Sequence, residues 1–160
     1  MSDNFDFENH AQKIYAPLSG TARDITEMPD PMFSQKILGD GVSIEPEEGR
    51  VYSPFDGIIS LVADTKHAIG IEDKNGTVTL IHIGTDTVKL AGELFEPRVL
   101  QGDRVEKGAL IMDFDIDELR RRGFMTVTAV IVMSDSRIKD IKKMTGRMKA
   151  CESLLMEYKI

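Results

Sequence analysis

From Lys13 onward, short runs rich in β-branched and other apolar residues alternate with turn residues at intervals of about ten. That rhythm predicts an all-β chain folded as an antiparallel β-sandwich or partly closed barrel. The clearest strands are expected over Gly57 to Thr65, Ala68 to Glu72, Thr77 to Ile83, Ala109 to Phe114 and Thr126 to Met133. Between them stand clusters of glycine, proline, asparagine and aspartate, the residues that accept or impose turn dihedrals. They are Pro17 to Gly20, Gly39 to Gly41, Pro54 to Gly57, Asp73 to Gly76, and Gly102-Asp103 leading to Lys107-Gly108.

Two segments carry helical signals, and both are short. Asp115 to Arg122 runs from an acidic cap to Gly123, and Ser134 or Asp135 caps a stretch with Ile138, Ile141 and Met144 three apart, closing at Gly146. Neither is long enough to organise a core. Residues 1–12 are polar, with Phe5 and Phe7 as the only anchors, and predict a mobile lead in which His10 is solvated. Residues 13–160 are then one domain.

The chain also resembles itself. Tyr15-Ala16-Pro17-Leu18-Ser19-Gly20 is echoed by Tyr52-Ser53-Pro54-Phe55-Asp56-Gly57, and Gly41-Val42-Ser43-Ile44-Glu45 by Ala68-Ile69-Gly70-Ile71-Glu72. The order is the same in both copies, and the first carries about ten extra residues between its two blocks. An internally duplicated β motif is the expectation.

The second copy leads into the most informative segment. His67 to Glu72, Asp73-Lys74-Asn75-Gly76 and Thr77 to His82 spell strand, tight turn, strand. If all four turn residues close the loop, His67 lies directly opposite His82, with Cβ atoms about 5 Å apart. If Asn75-Gly76 alone forms the turn, His82 faces Ile69 and His67 takes the diagonal. In both registers the histidines share a face, and only an odd shift separates them. Paired imidazoles can bind a metal, shuttle a proton or carry a phosphoryl group. Metal hydrolysis asks for a third ligand and a base, and no HExxH-type motif is present.

Charge and cysteine content narrow the partners. Twenty basic residues against 27 acidic give a net charge of −7, so the surface field repels nucleic acid and favours a basic protein partner. Cys151 is the only cysteine, which rules out an internal disulfide and fits a reducing cytoplasm. No apolar stretch is long enough to insert into a membrane, and Asp3, Asp6 and Glu8 stand where a secretory signal needs basic residues.

Ile81-His82-Ile83-Gly84-Thr85-Asp86-Thr87-Val88 resembles the active-site signature of the glucose-type enzyme IIA family of the bacterial phosphoenolpyruvate-dependent sugar phosphotransferase system. Thr65-Lys66-His67-Ala68-Ile69-Gly70-Ile71 is similar to its second histidine block. The likeness extends in unbroken order from about residue 14 to about 145, through Ala16 to Gly20, Pro29-Asp30 with Phe33, Lys36 to Gly41, Ser53 to Gly57 and Gly102 to Gly108. It implies a β-sandwich phosphocarrier that takes a phosphoryl group from HPr and gives it to the IIB domain of a sugar permease, with no cofactor and no metal. By resemblance His82 is the phosphorylated residue, His67 steadies the phosphate, Thr65 orients His67, and Gly84 lets backbone approach the active imidazole. Asp30 and Asp86 correspond to acidic rim positions, and Met32, Phe33, Leu80 and Val88 to apolar partner-binding surface. Thr85, Leu94 and Ala129 depart from the family pattern. The chain carries neither a IIB cysteine motif nor a membrane segment, so a stand-alone IIA or one excised from a larger permease is expected, with regulatory protein contacts as a further role.

Three other readings use the same residues. A lipoyl or biotinyl carrier would explain Lys74 at a hairpin tip, but in such carriers the Gly-Asp-x-Val element precedes the modified lysine, whereas Gly102-Asp103-Arg104-Val105 follows it. A zinc peptidase on a duplicated β fold and a non-catalytic regulator are the others.

Overall fold

Fourteen strands form among residues 11–160, the part of the chain that this computed structural model describes. In chain order they are β1 (Gln12–Tyr15), β2 (Gly20–Asp24), β3 (Gly39–Pro46), β4 (Arg50–Tyr52), β5 (Gly57–Val62), β6 (Ala68–Glu72) and β7 (Val78–His82). After them come β8 (Phe95–Pro97), β9 (Arg104–Val105), β10 (Leu110–Phe114), β11 (Thr128–Met133), β12 (Asp140–Lys143), β13 (Gly146–Met148) and β14 (Leu154–Lys159). Two short α-helices, α1 (Pro31–Ser34) and α2 (Ile116–Arg121), and two 3-10 turns, Ile25–Glu27 and Thr87–Leu90, complete the elements. The fold is an antiparallel β-sandwich with helical decoration, as the strand rhythm predicts.

An eight-stranded sheet in the order β13-β2-β3-β11-β7-β6-β5-β9 faces two three-stranded sheets, β1-β14-β12 and β4-β10-β8. Alternation puts Ile69, Ile71, Ile81, Val130 and Val132 on the inner face, where they pack with Ile14, Val51, Ile111 and Leu155 from the smaller sheets. Ala68, Leu80, Ala129 and Ile131 point outward, and residues of the first 3-10 turn and α1 (Ile25 and Phe33) cover them.

The duplication is expressed in the strand order, since β2-β3-β11 on one side is matched by β5-β6-β7 on the other. The repeated Tyr-x-Pro blocks clasp each other: Tyr15 N donates to Pro54 O at 3.0 Å, and Tyr52 N donates to Pro17 O at 2.8 Å. Two copies of one local motif thus satisfy each other's backbone groups across a pseudo-twofold relation.

Three expectations are corrected. The stretch after Ser134 is not a helix: Asp140–Lys143 is a strand paired with β14, Ile141 opposite Tyr158. Isoleucines three apart fit one helical face, but the pairing wins, with Ile141 packed against the core and Lys143 turned in to meet Asp24 and Asp40. Gly39 to Gly41 is not a turn but the start of β3, where a Cβ on Gly39 or Gly41 would lie 2.0 or 2.1 Å from a carbonyl of β11. Gln12, assigned to the lead, instead begins β1 and pairs with Tyr158. Phe5, Phe7 and His10 lie outside the described residues. Asp115 to Arg122 does form a helix, capped by the Asp115 carboxylate, which accepts from Glu118 N at 3.1 Å.

Candidate active site

The β6–β7 hairpin closes through a three-residue loop, Lys74-Asn75-Gly76. Asp73 N donates to Thr77 O at 2.9 Å and Gly76 takes φ 80°. Asp73 fixes this turn by accepting from Asn75 N at 2.8 Å, and the buried Tyr158 hydroxyl donates to its other oxygen. The odd loop length makes the register differ from both sequence-based alternatives: Ala68, not His67 or Ile69, lies opposite His82. Unbroken alternation would then put the two histidines on opposite faces. They meet because β6 begins only at Ala68. Lys66, at φ 64°, swings the chain before it, and His67 sits just beyond the strand end with its carbonyl accepting from Ile83 N at 2.8 Å. The two rings lie 4.8 Å apart, centroid to centroid, at 86°.

His82 is the last residue of β7 and is flanked across the sheet by Ala68 and Ala129, small side chains that leave room for the rings that pack around it. The Phe33 ring stands 4.8 Å away at 55°. His82 Nδ1 lies 3.1 Å from Gly84 O. A carbonyl only accepts, so in the neutral ring Nδ1 carries the proton and Nε2 keeps its lone pair. Desolvation, followed by the neighbouring His67, lowers the His82 pKa to about 4, against the opposing pull of the Gly84 bond and the Asp30 charge. His67 is also lowered, mainly by burial, with a hydrogen bond to the Thr65 backbone opposing. Its Nδ1 is 2.8 Å from Thr65 Oγ1. At neutral pH the site therefore holds two neutral imidazoles, each oriented through Nδ1.

Gly84 takes φ 73°, and a Cβ there would meet Met125 O and Thr87 Cγ2, both at 2.7 Å. Only glycine lets the chain turn back under the His82 ring in this space. The Thr87 hydroxyl donates to Ile83 O and holds the same turn.

The other candidates divide by exposure. Asp30 caps α1, accepting from Met32 N at 3.0 Å, and Asp86 is exposed in a left-handed conformation. Met32 and Val88 are 46% and 50% exposed, whereas Phe33 and Leu80, expected as docking surface, are buried at 3% and 7% and form the apolar layer beneath the site. Met125, 52% exposed with its carbonyl accepting from Thr85 N, adds apolar surface that no motif in the sequence marks. Among the described residues, no group of three or more His, Cys, Asp or Glu could hold a metal ion, and no helix is long and apolar enough to cross a membrane.

A neutral imidazole with a free Nε2, backed by a second imidazole at the rim of an open sheet face, defines a histidine-based group-transfer site. Residues 12–138 match the family described as phosphoenolpyruvate-dependent sugar phosphotransferase system, EIIA 1, and the chain belongs to it. It is 42% identical over 139 residues to a PTS system glucose-specific EIIA component of Bacillus cereus, covering 87% of this chain and 84% of that protein. A glucose-specific EIIA component of Halalkalibacterium halodurans is 42% identical over 148 residues, covering 92% and 86%. The glucoside-specific EIICBA component of Staphylococcus carnosus is 41% identical over 143 residues, covering 89% of this chain but 21% of that much longer protein. The solved glucose permease IIA from Mycoplasma capricolum superposes with a TM-score of 0.85 at 30% identity, over 94% of this chain and 97% of its own. The chain is a phosphotransferase component that relays phosphoryl groups through a histidine during sugar uptake, working with a sugar permease.

Proposed function

We propose that His82 is the phosphorylated residue, accepting from phospho-HPr and donating to the IIB domain of a sugar permease, with glucose or a glucoside as the sugar class. The observation that carries this reading is the His82 Nδ1 to Gly84 O contact, which leaves Nε2 as the nucleophile. Nε2 attacks phosphorus, the bond to the donor histidine breaks as the new N–P bond forms, and no proton has to leave Nε2 first. The proton stays on Nδ1 throughout, donated to Gly84 O.

Charge in such a transfer spreads over the equatorial oxygens, so catalysis is chiefly positioning and donors aimed at them. His67 supplies a donor when the Thr65 hydroxyl donates to its Nδ1, which puts the His67 proton on Nε2. Asp30 and Asp86 offer negative charge to a basic carrier, and Met32, Val88 and Met125 offer apolar contact. Phe33 and Leu80 support this surface from below. The reading is tested by incubating the protein with phosphoenolpyruvate, enzyme I and HPr and mapping acid-labile phosphate by mass spectrometry. Phosphate on any residue other than His82 rejects it.

A further inference from the structure

Lys13, Lys74 and Lys107 line a cavity of about 610 Å³ together with Tyr15, Phe55 and Asp56. The lysines come from three places: β1, the loop of the β6–β7 hairpin, and the turn before β10. Lys107 Nζ stands 3.5 Å from the centre of the Tyr15 ring, so a cation–π contact holds one ammonium at the cavity wall. Lys13 and Lys74 have no ion-pair partner among the described residues. Asp56 is the one lining carboxylate, and its Oδ1 already accepts from Lys107 N at 2.8 Å. On a chain of net charge −7, three cations against one carboxylate reverse the local sign.

We propose that this cavity is a binding site for a small organic bisphosphate, distinct from the histidine pair. Its volume falls in the range usual for small-molecule sites. Its cations are ammonium groups, compact point charges with rotatable donors on flexible stems; no arginine fork is present to select a planar carboxylate. They are spread around the cavity on separate elements, which suits two phosphates joined by a polar spacer better than one. Lys74 sits at the closed end of the hairpin, whereas His67 and His82 sit at its open end, so the two sites share an element but no residue.

The test is a titration of the ¹⁵N-labelled full chain with fructose 1,6-bisphosphate at constant ionic strength, followed by NMR. Saturable shifts centred on the amides of Lys13, Tyr15, Lys74 and Lys107 are expected, weakened at least tenfold in Lys74→Gln and in Lys107→Gln. The proposal is overturned by shifts that do not saturate, by shifts spread over other lysine-bearing surfaces, or by equal affinity in the double variant. Tighter binding of an acidic peptide than of the bisphosphate would overturn it too, in favour of a protein contact.

Discussion

The two halves of the duplicated sheet put different chemistry at the same place. Laying Gly41–Glu45 on Ala68–Glu72 puts Asp40 where His67 stands, and carries the Val42–Val130 pair onto Ile69–Ile81, so Ile131 takes the place of His82. In the first half β3 runs on through Asp40, which pairs with Val132, and its carboxylate accepts from Lys143 Nζ at 2.9 Å. Ile131 is 1% exposed beneath the Ile25–Ser34 segment. In the second half the strand is two residues shorter at this end, which frees His67 to turn toward His82, and there is no second roof segment: Ala68 and Leu80 are covered by residues of the first copy's. The insertion that distinguishes the first copy is that roof. Duplication builds the scaffold; a strand end two residues short and the lack of a second roof segment open the site.

The comparison predicts its largest effect at the two positions that differ most. His82→Gln should abolish labelling by phospho-HPr with the fold intact. Asp40→Asn, at the counterpart of His67, should leave labelling unchanged and cost at most about 1 kcal/mol in urea denaturation, since it weakens partly exposed ion pairs. Loss of labelling in Asp40→Asn would mean that the halves are not divided as described.

Next is His67→Gln, which keeps a donor but cannot become cationic. His82 should still be phosphorylated, while single-turnover transfer from the isolated phosphoprotein to IIB slows on the order of 10²-fold. Thr65→Val should give a milder form of the same defect by loosening the His67 ring. Wild-type transfer in His67→Gln would show that the rings are neighbours without being partners.

Stability should separate the halves by pH. The unfolded chain protonates His82 near pH 6.5, whereas the folded chain holds its pKa at about 4. Between those values the unfolded state binds more protons, so the His82 contribution lowers stability as pH falls through that window. His67 is shifted in the same direction. Wild type should therefore lose more of its urea midpoint between pH 7 and pH 5 than His82→Gln does. Parallel curves would mean that His82 is not held neutral by its surroundings.

Much of this was legible in the sequence, and what was not has physical causes. The strands from Gly57 to Met133 announce themselves because each side of the large sheet is packed, so local pattern and burial agree. The duplication was legible because the Tyr-x-Pro blocks bind each other. The hairpin register was not, because Asp73-Lys74-Asn75-Gly76 is compatible with loops of two, three or four residues, and the choice rests on Asp73 and on the distant Tyr158. The strand after Ser134 was hidden because its inward residues are Ile141 and a charge, Lys143, whose partners Asp24 and Asp40 are far away in sequence. Sequence pattern alone offered paired histidines. Which chemistry they carry came from the family signature, not from spacing.

The smallest predicted effect concerns the rim. Asp30 sits on the roof segment that only the first copy has, and Asp86 on the turn after β7, so the two carboxylates come from opposite halves. Asparagine serves as well as aspartate at a helix N-cap and in a left-handed backbone, so Asp30→Asn with Asp86→Asn removes charge while keeping both local structures. The Asp30 charge favours the cationic form of His82, so its loss only reinforces the neutral nucleophile. What remains to change is the long-range attraction of a basic carrier. Rim charges act mainly on association rate, and about 10 Å of screening length at 0.1 M salt mutes them. Phosphorylation by HPr should slow roughly threefold or more at low ionic strength and approach the wild-type rate at high. Stopped-flow rates across a salt series measure this directly, and a variant with the same salt slope as wild type would show that the two carboxylates steer nothing to the site.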